Sequence, residues 1–240
     1  MARKSGAKPA NERRPRPGSR VGPRLLDVYR RLYQAYGPQS WWPGETAFEM
    51  IVGAILTQSV AWTNVAKAIA ALKAADLMSP AALRHCPTDR LAGLLRPCLY
   101  FNAKAVKVKA MVDHLARYDD DLERWFDQDV PSLRSELLSI HGVGEETADS
   151  IVLYAAGKPS FVIDAYTRRI LKRLELAPSV DTYRAYQARF EDELPADVAL
   201  FNEYHALLVR LGKNVCRTKP RCPACPLLGI CPTGQQAAAS

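Results

Sequence analysis

Apolar residues recur at helical spacing along nearly the whole chain beyond residue 20, and alternating β-branched runs are scarce. Leu25, Leu26, Tyr29, Leu32 and Tyr33 share one face over 22–36, and Phe48, Ile51, Val52 and Ile55 share one over 45–57. A stripe of that period buries itself against other helices and cannot hold a strand register, so the fold class is all-α. Further helices are predicted over 62–76, closed by the break at Ser79-Pro80, and as short amphipathic pieces through 81–95 and 102–117. Pro131 opens another at a favoured first-turn position, and a helix over 145–156 stops at Gly157. After the extended stretch PSFVID, helices follow near 166–174, 181–193 and 196–211, the last stopped by Gly212. There is no internal repeat, and low complexity is confined to the termini, 1–20 and 232–240, both read as disordered.

A chain of 240 residues can bury a sizeable core in one or two domains. With 48% apolar residues and no apolar run as long as a membrane span, a soluble, cytoplasmic protein is expected, without a membrane partner. The formal net charge of +8 fits a polyanionic partner. Residues 1–20 carry seven Lys or Arg and one Glu, so +6 of that +8 sits in the first twenty residues and +2 is left for the rest. That segment lacks the apolar run of a secretory signal and has few of the apolar positions of the alternative, an organelle-targeting helix; the preferred reading is a flexible basic arm that adds non-specific DNA affinity.

Cys216, Cys222, Cys225 and Cys231 are spaced C-x5-C-x2-C-x5-C. Thiols confined to one short loop of a large chain do not make a disulfide scaffold; they hold one metal centre. Tetrathiolate spacing alone leaves zinc and a 4Fe–4S cluster open. Lys213, Arg217, Lys219 and Arg221 would offset the charge of such a centre and could touch phosphate. Cys86 and Cys98 read as core residues.

The stretch IHGVGEETAD places Gly142, Val143 and Gly144 between two helices. Such a turn aims backbone N–H groups outward at a helix N-terminus, a phosphate site that needs no basic side chain. Asp164, in VIDAYTRRILKRL, stands twenty residues beyond Gly144, and the cysteine loop follows. Asp164 also suits the N-cap of the helix that begins near Tyr166.

Hairpin, aspartate and cysteine loop in this order resemble the helix-hairpin-helix DNA glycosylases of the endonuclease III superfamily, over roughly residues 25–231. The resemblance implies two lobes. One is a six-helix barrel over about 43–162; the other combines 21–42 with 163–231 and carries the cluster loop 216–231. It implies a monomer that binds double-stranded DNA containing damaged bases, nucleoid-associated if bacterial. Gly142, Val143 and Gly144 become the phosphate-binding hairpin, Gln58 of LTQS the residue that fills the gap left by a flipped base, and Asp164 the essential aspartate. The four cysteines become ligands of a 4Fe–4S cluster, with the first interval one residue shorter than in the best-known members. LYFNAKA at 99–105 resembles the segment that opens a helix near the DNA backbone.

One departure bears on chemistry. Bifunctional members read G-V-G-x-K-T-A, and the lysine attacks C1′ to form a Schiff base. Here Glu146 occupies that position. A carboxylate cannot form an imine, so hydrolysis by water is expected and AP lyase activity is not. SWWPGETAFEMIVGAILTQS, with GEETAD, further resembles the 3-methyladenine glycosylase branch. That places Trp41, Trp42 and Phe48 in the wall of a base pocket bordered by Glu146. An alkylated purine is cationic, which an aromatic face attracts, and it leaves without a strong general acid. The alternatives are an endonuclease III-like glycosylase or AP lyase acting on oxidised pyrimidines, a catalytically weak DNA-damage binder, and a zinc-stapled DNA-binding module.

Overall fold

The computed structural model describes residues 20–239, and every regular element among them is helical. The basic segment expected to act as an arm lies outside the described residues, apart from Arg20. The α-helices run α1 (Val21–Tyr36), α2 (Ala47–Leu56), α3 (Trp62–Ala74), α4 (Pro80–His85), α5 (Thr88–Leu94), α6 (Phe101–Leu115), α7 (Leu122–Phe126), α8 (Val130–Ser139), α9 (Glu145–Ser150), α10 (Ala165–Arg173), α11 (Tyr183–Glu191), α12 (Val198–Asn214) and α13 (Pro232–Ala239).

Local chemistry sets many of the starts. Thr46, Ser79, Asp129, Asp164, Thr182 and Asp197 each accept a backbone N–H from the first turn of the helix they precede. Pro80 and Pro131 sit where the missing N–H costs nothing.

The buried side chains form two cores. Residues from Phe48 through Val152 make the first, and α1 with Leu153 through Leu227 makes the second. The described residues therefore start in one lobe, cross to build the other, and return. The return falls within Ile151–Ala155, a single π turn that continues α9, where Ala156 N–H bonds the Ile151 carbonyl at 3.0 Å. Ile151 and Val152 belong to one core, Leu153 and Tyr154 to the other. The division thus lies about ten residues before the expected boundary at 162.

Other differences have physical causes. The piece expected over 81–95 is two helices, broken where Pro87 follows Cys86. The short α7 had no periodic signal; Asp121 caps it and its fully buried Trp125 anchors it. Gly212 does not end α12, which continues to Asn214. It is buried, and a Cβ there would lie 2.6 Å from Tyr166 Cβ, so glycine lets α12 approach α10. Residues 232–239, expected to be disordered, form α13. Thr233 Oγ1 donates to the Arg173 carbonyl at 3.1 Å and Gly234 is buried over the cysteine loop, so packing orders what composition alone would not. Phe48, expected in a pocket wall, is buried in the first core. Its place on the α2 apolar face, with Ile51, Val52 and Ile55, explains this.

Candidate active site

Gly142 has φ of +84°, the left-handed region that favours glycine, and lets the chain turn from α8 into α9. Val143 is buried beneath the turn, while Gly144 caps α9 without any side-chain acceptor. The first-turn N–H groups of α9 are therefore open to an outside acceptor. Beneath the turn, Arg134 of α8 grips Asp149 of α9 through Nε at 2.8 Å and Nη2 at 3.1 Å. Ser160 Oγ also donates to Asp149, at 2.7 Å. Glu145 lies 3.4 Å from the same guanidinium, which accounts for one of the two acidic residues.

The other, Glu146, faces the opposite way. Water reaches its side chain, yet surrounding protein strips enough solvent to push its pKa up to about 7, helped by the Asp164 carboxylate and opposed by Arg168. Asp164 caps α10, its Oδ1 accepting the Thr167 N–H at 2.7 Å. Its Oδ2 lies 3.7 Å from His205 Nε2 of α12. His205 is buried and bonded through Nδ1 to the Tyr154 hydroxyl. Burial pushes the imidazole pKa down and Asp164 acts against that. Neither Tyr154 nor His205 belongs to a motif legible in the sequence.

Tyr154 links the carboxylates to an aromatic cluster. Its ring centroid is 5.1 Å from that of Trp42, which lies 5.4 Å from Trp41 and 5.3 Å from Trp62. Trp42 lies against Gly53 of α2, where a Cβ would come 3.4 Å from its Nε1. Trp41 and Trp42 each keep a buried indole N–H without a partner. The predicted pair is thus joined by Trp62 and Tyr154, residues far apart in sequence, while Phe48 lies in the neighbouring core.

Gln58 reaches the hairpin. Its Nε2 donates to the Gly142 carbonyl and to Thr147 Oγ1, both at 2.9 Å, and its Oε1 accepts from Lys107 Nζ at 2.6 Å. Lys104, buried one turn earlier on α6, donates to the carbonyls of Leu56 and Gln58, each at 2.9 Å, fixing the loop backbone.

Cys216, Cys222, Cys225 and Cys231 line one small cavity with Val215, Pro220 and Leu228. Arg173 Nη1 donates to Cys216 Sγ at 3.1 Å and Gly234 N–H to Cys231 Sγ at 3.4 Å. Among the described residues, no three His, Cys, Asp or Glu side chains gather closely enough to hold a single metal ion. Beside this loop, Arg169, Lys213, Arg217, Lys219 and Arg221 line an open basic groove with Tyr166.

A glycine hairpin with open backbone donors, followed by an acidic helix cap, is the arrangement of the helix-hairpin-helix DNA repair class. The chain belongs to the HhH-GPD superfamily of base excision DNA repair proteins, whose family model matches residues 52–196. A Methanocaldococcus jannaschii protein, provisionally described as a DNA repair glycosylase, is 43% identical over 209 residues, spanning 86% of this chain and 95% of its own. In fold, the chain is similar to endonuclease III in a non-covalent DNA complex, with a TM-score of 0.78 at 21% identity over 91% of this chain and 99% of that one. It is also similar to the H. pylori 3-methyladenine DNA glycosylase bound to 1,N6-ethenoadenine, with a TM-score of 0.68 at 24% identity over 80% of this chain and 97% of that one.

Proposed function

We propose that this glycosylase is monofunctional. It extrudes an alkylated, 3-methyladenine-like base from double-stranded DNA and hydrolyses its N-glycosidic bond with water. The observation that carries the reading is Glu146, in the position of the lyase lysine and near enough to Asp164 for that carboxylate to help raise its pKa. Two carboxylates in one cleft suit a cationic sugar and offer no amine for an imine.

The residues then divide the work as follows. The hairpin N–H groups hold a backbone phosphate, and the basic groove beside the cysteine loop follows the same strand. Gln58, beside the hairpin, stands ready to fill the vacated stack. The flipped base rests against the Trp41 and Trp42 indoles, which pack with Trp62 and Tyr154. As the C1′–N bond breaks, its electron pair leaves with the cationic base, which departs neutral. The Asp164 carboxylate stabilises the positive sugar, water adds at C1′, and the water proton passes to a carboxylate of the Glu146–Asp164 pair.

The cysteine loop fits a 4Fe–4S cluster better than zinc. Four thiols surround one cavity and two receive N–H donors, the contacts that tune cluster sulfur. A zinc ion needs four ligands converging at about 2.3 Å. When bound, the cluster supplies a thiolate-held core for the loop, and Arg173 and Gly234 hold its sulfur ligands in place.

The first test is excision from duplexes carrying alkylated, oxidised or deaminated bases, each read with and without alkali. Release of 3-methyladenine without strand cleavage is expected, and Asp164→Asn is expected to abolish it. A borohydride-stable adduct with the wild-type protein would overturn the hydrolytic mechanism. The close likeness in fold to endonuclease III favours a second reading, excision of oxidised pyrimidines, which the same panel detects. Absorbance near ~400 nm from an iron–sulfur chromophore tests the cofactor.

A further inference from the structure

The amide of Gln58 is saturated as the protein stands. Both Nε2 hydrogens are given to acceptors on the hairpin, Gly142 O and Thr147 Oγ1, and Oε1 is held by Lys107. A side chain that is to enter a duplex must first give up these bonds. The ammonium that holds it occupies a particular place. Lys107 lays its stem directly over the hairpin turn, so that a Cβ on Gly142 would fall 2.3 Å from its Cγ, 2.6 Å from its Cδ and 2.9 Å from its Cε. The hairpin itself carries no lysine or arginine: His141 precedes its first glycine, and Glu145 and Glu146 follow its second. Among the described residues, no carboxylate lies within ion-pair distance of Lys107. Lys104, on the same helix, fixes the backbone of the Gln58 loop, so the motion left to this loop is that of the Gln58 side chain.

We propose that Lys107 couples the two DNA contacts: it is a positioning residue that holds Gln58 back until a phosphate reaches the hairpin, and it then turns its ammonium to that phosphate. Resting on the DNA-binding reading above, this supplies from α6 the positive charge that the hairpin lacks. A phosphate oxygen on the α9 N–H groups competes with Gln58 Oε1 for the same ammonium, and an anion outbids a neutral amide oxygen. Binding of the backbone and release of Gln58 become one event.

The test uses the full chain and a duplex with a tetrahydrofuran abasic analogue opposite 2-aminopurine, which requires no knowledge of the lesion. Lys107→Met keeps the stem over Gly142 and removes the charge. Its binding should weaken, and the slope of log affinity against log salt should shrink by about 1. Lys107→Arg should retain the wild-type slope. At saturating protein, the 2-aminopurine signal of Gln58 entry should rise about tenfold faster in Lys107→Met, the size of losing one charge-assisted hydrogen bond. Unchanged salt slope, or entry slowed to the level of Gln58→Ala, overturns the coupling. Failure of the wild type to bind this duplex overturns the DNA-binding reading instead.

Discussion

Exchanging Arg134 for methionine keeps much of the side-chain stem and removes the guanidinium that holds Asp149 through two bonds of 2.8 and 3.1 Å. Asp149 is 0% exposed, so the stranded carboxylate cannot turn to water. Its remaining partners are the Ser160 hydroxyl at 2.7 Å, which in turn accepts from Gln187 Nε2 at 3.3 Å, and the neighbouring Tyr183 hydroxyl. Burial acts to lower the Arg134 pKa, but the bonds to Asp149 and Glu145 outweigh it and raise the pKa, so the guanidinium keeps its charge in the fold. Breaking such a buried pair from one side costs about 3–5 kcal/mol. At about 2–4 °C per kcal/mol for a chain of this size, the melting temperature should fall by roughly 6–20 °C. Thermal unfolding followed by far-UV circular dichroism reads this directly. The double variant Arg134→Met/Asp149→Leu leaves no stranded charge and should lose less than Arg134→Met alone. A melting temperature for Arg134→Met within about 2 °C of wild type would refute the reasoning, because the pair would then contribute no more than a surface contact.

Other substitutions test different parts of the site. Glu146 has a folded-state pKa near 7 against an ordinary value of 4.5, so between those values the unfolded chain ionises before the native one and the wild type loses stability as pH rises. Glu146→Gln lacks that loss; its melting temperature should gain on wild type from about pH 5 to pH 7 and hold that lead above, and an equal difference at about pH 5 and pH 8 would contradict the assignment. Gly212→Ala drives a methyl to 2.6 Å from Tyr166 Cβ and Cδ1, and the overpacking should cost about 1–3 kcal/mol in chemical denaturation. Asp164→Asn should keep the cap on Thr167 N–H through its amide oxygen, and so melt within about 3 °C of wild type while losing excision.

The parts of this molecule that could be read in advance are those written within a few residues. Asp164 as a helix cap, the glycine turn at 142–144 and the cysteine spacing depend on neighbours in sequence, and so does the period that makes the fold helical. What escaped depends on distant partners. Lys104 and Lys107 look like solvent-facing lysines of α6 until α2 and the hairpin arrive, 46 to 49 residues away in sequence from the groups they hold. His205 reads as one polar residue in an apolar helix, and only the return of the chain at Tyr154, 51 residues earlier, gives its Nδ1 a partner. Gly212 misled because a helix-ending glycine and a glycine that admits a neighbouring ring look the same in one dimension. Phe48 packs in the first core while Trp41 and Trp42 pack against the second, and nearness in sequence does not decide which core a side chain joins.

The π turn at Ile151–Ala155 has a mechanical consequence. Four successive side chains on one continuous stretch are split between two cores, so neither lobe can swing without withdrawing apolar groups from the other. A hinge needs a joint free of such packing. If DNA binds as proposed above, so firmly packed a joint leaves the bending and unstacking that expose a base to the duplex.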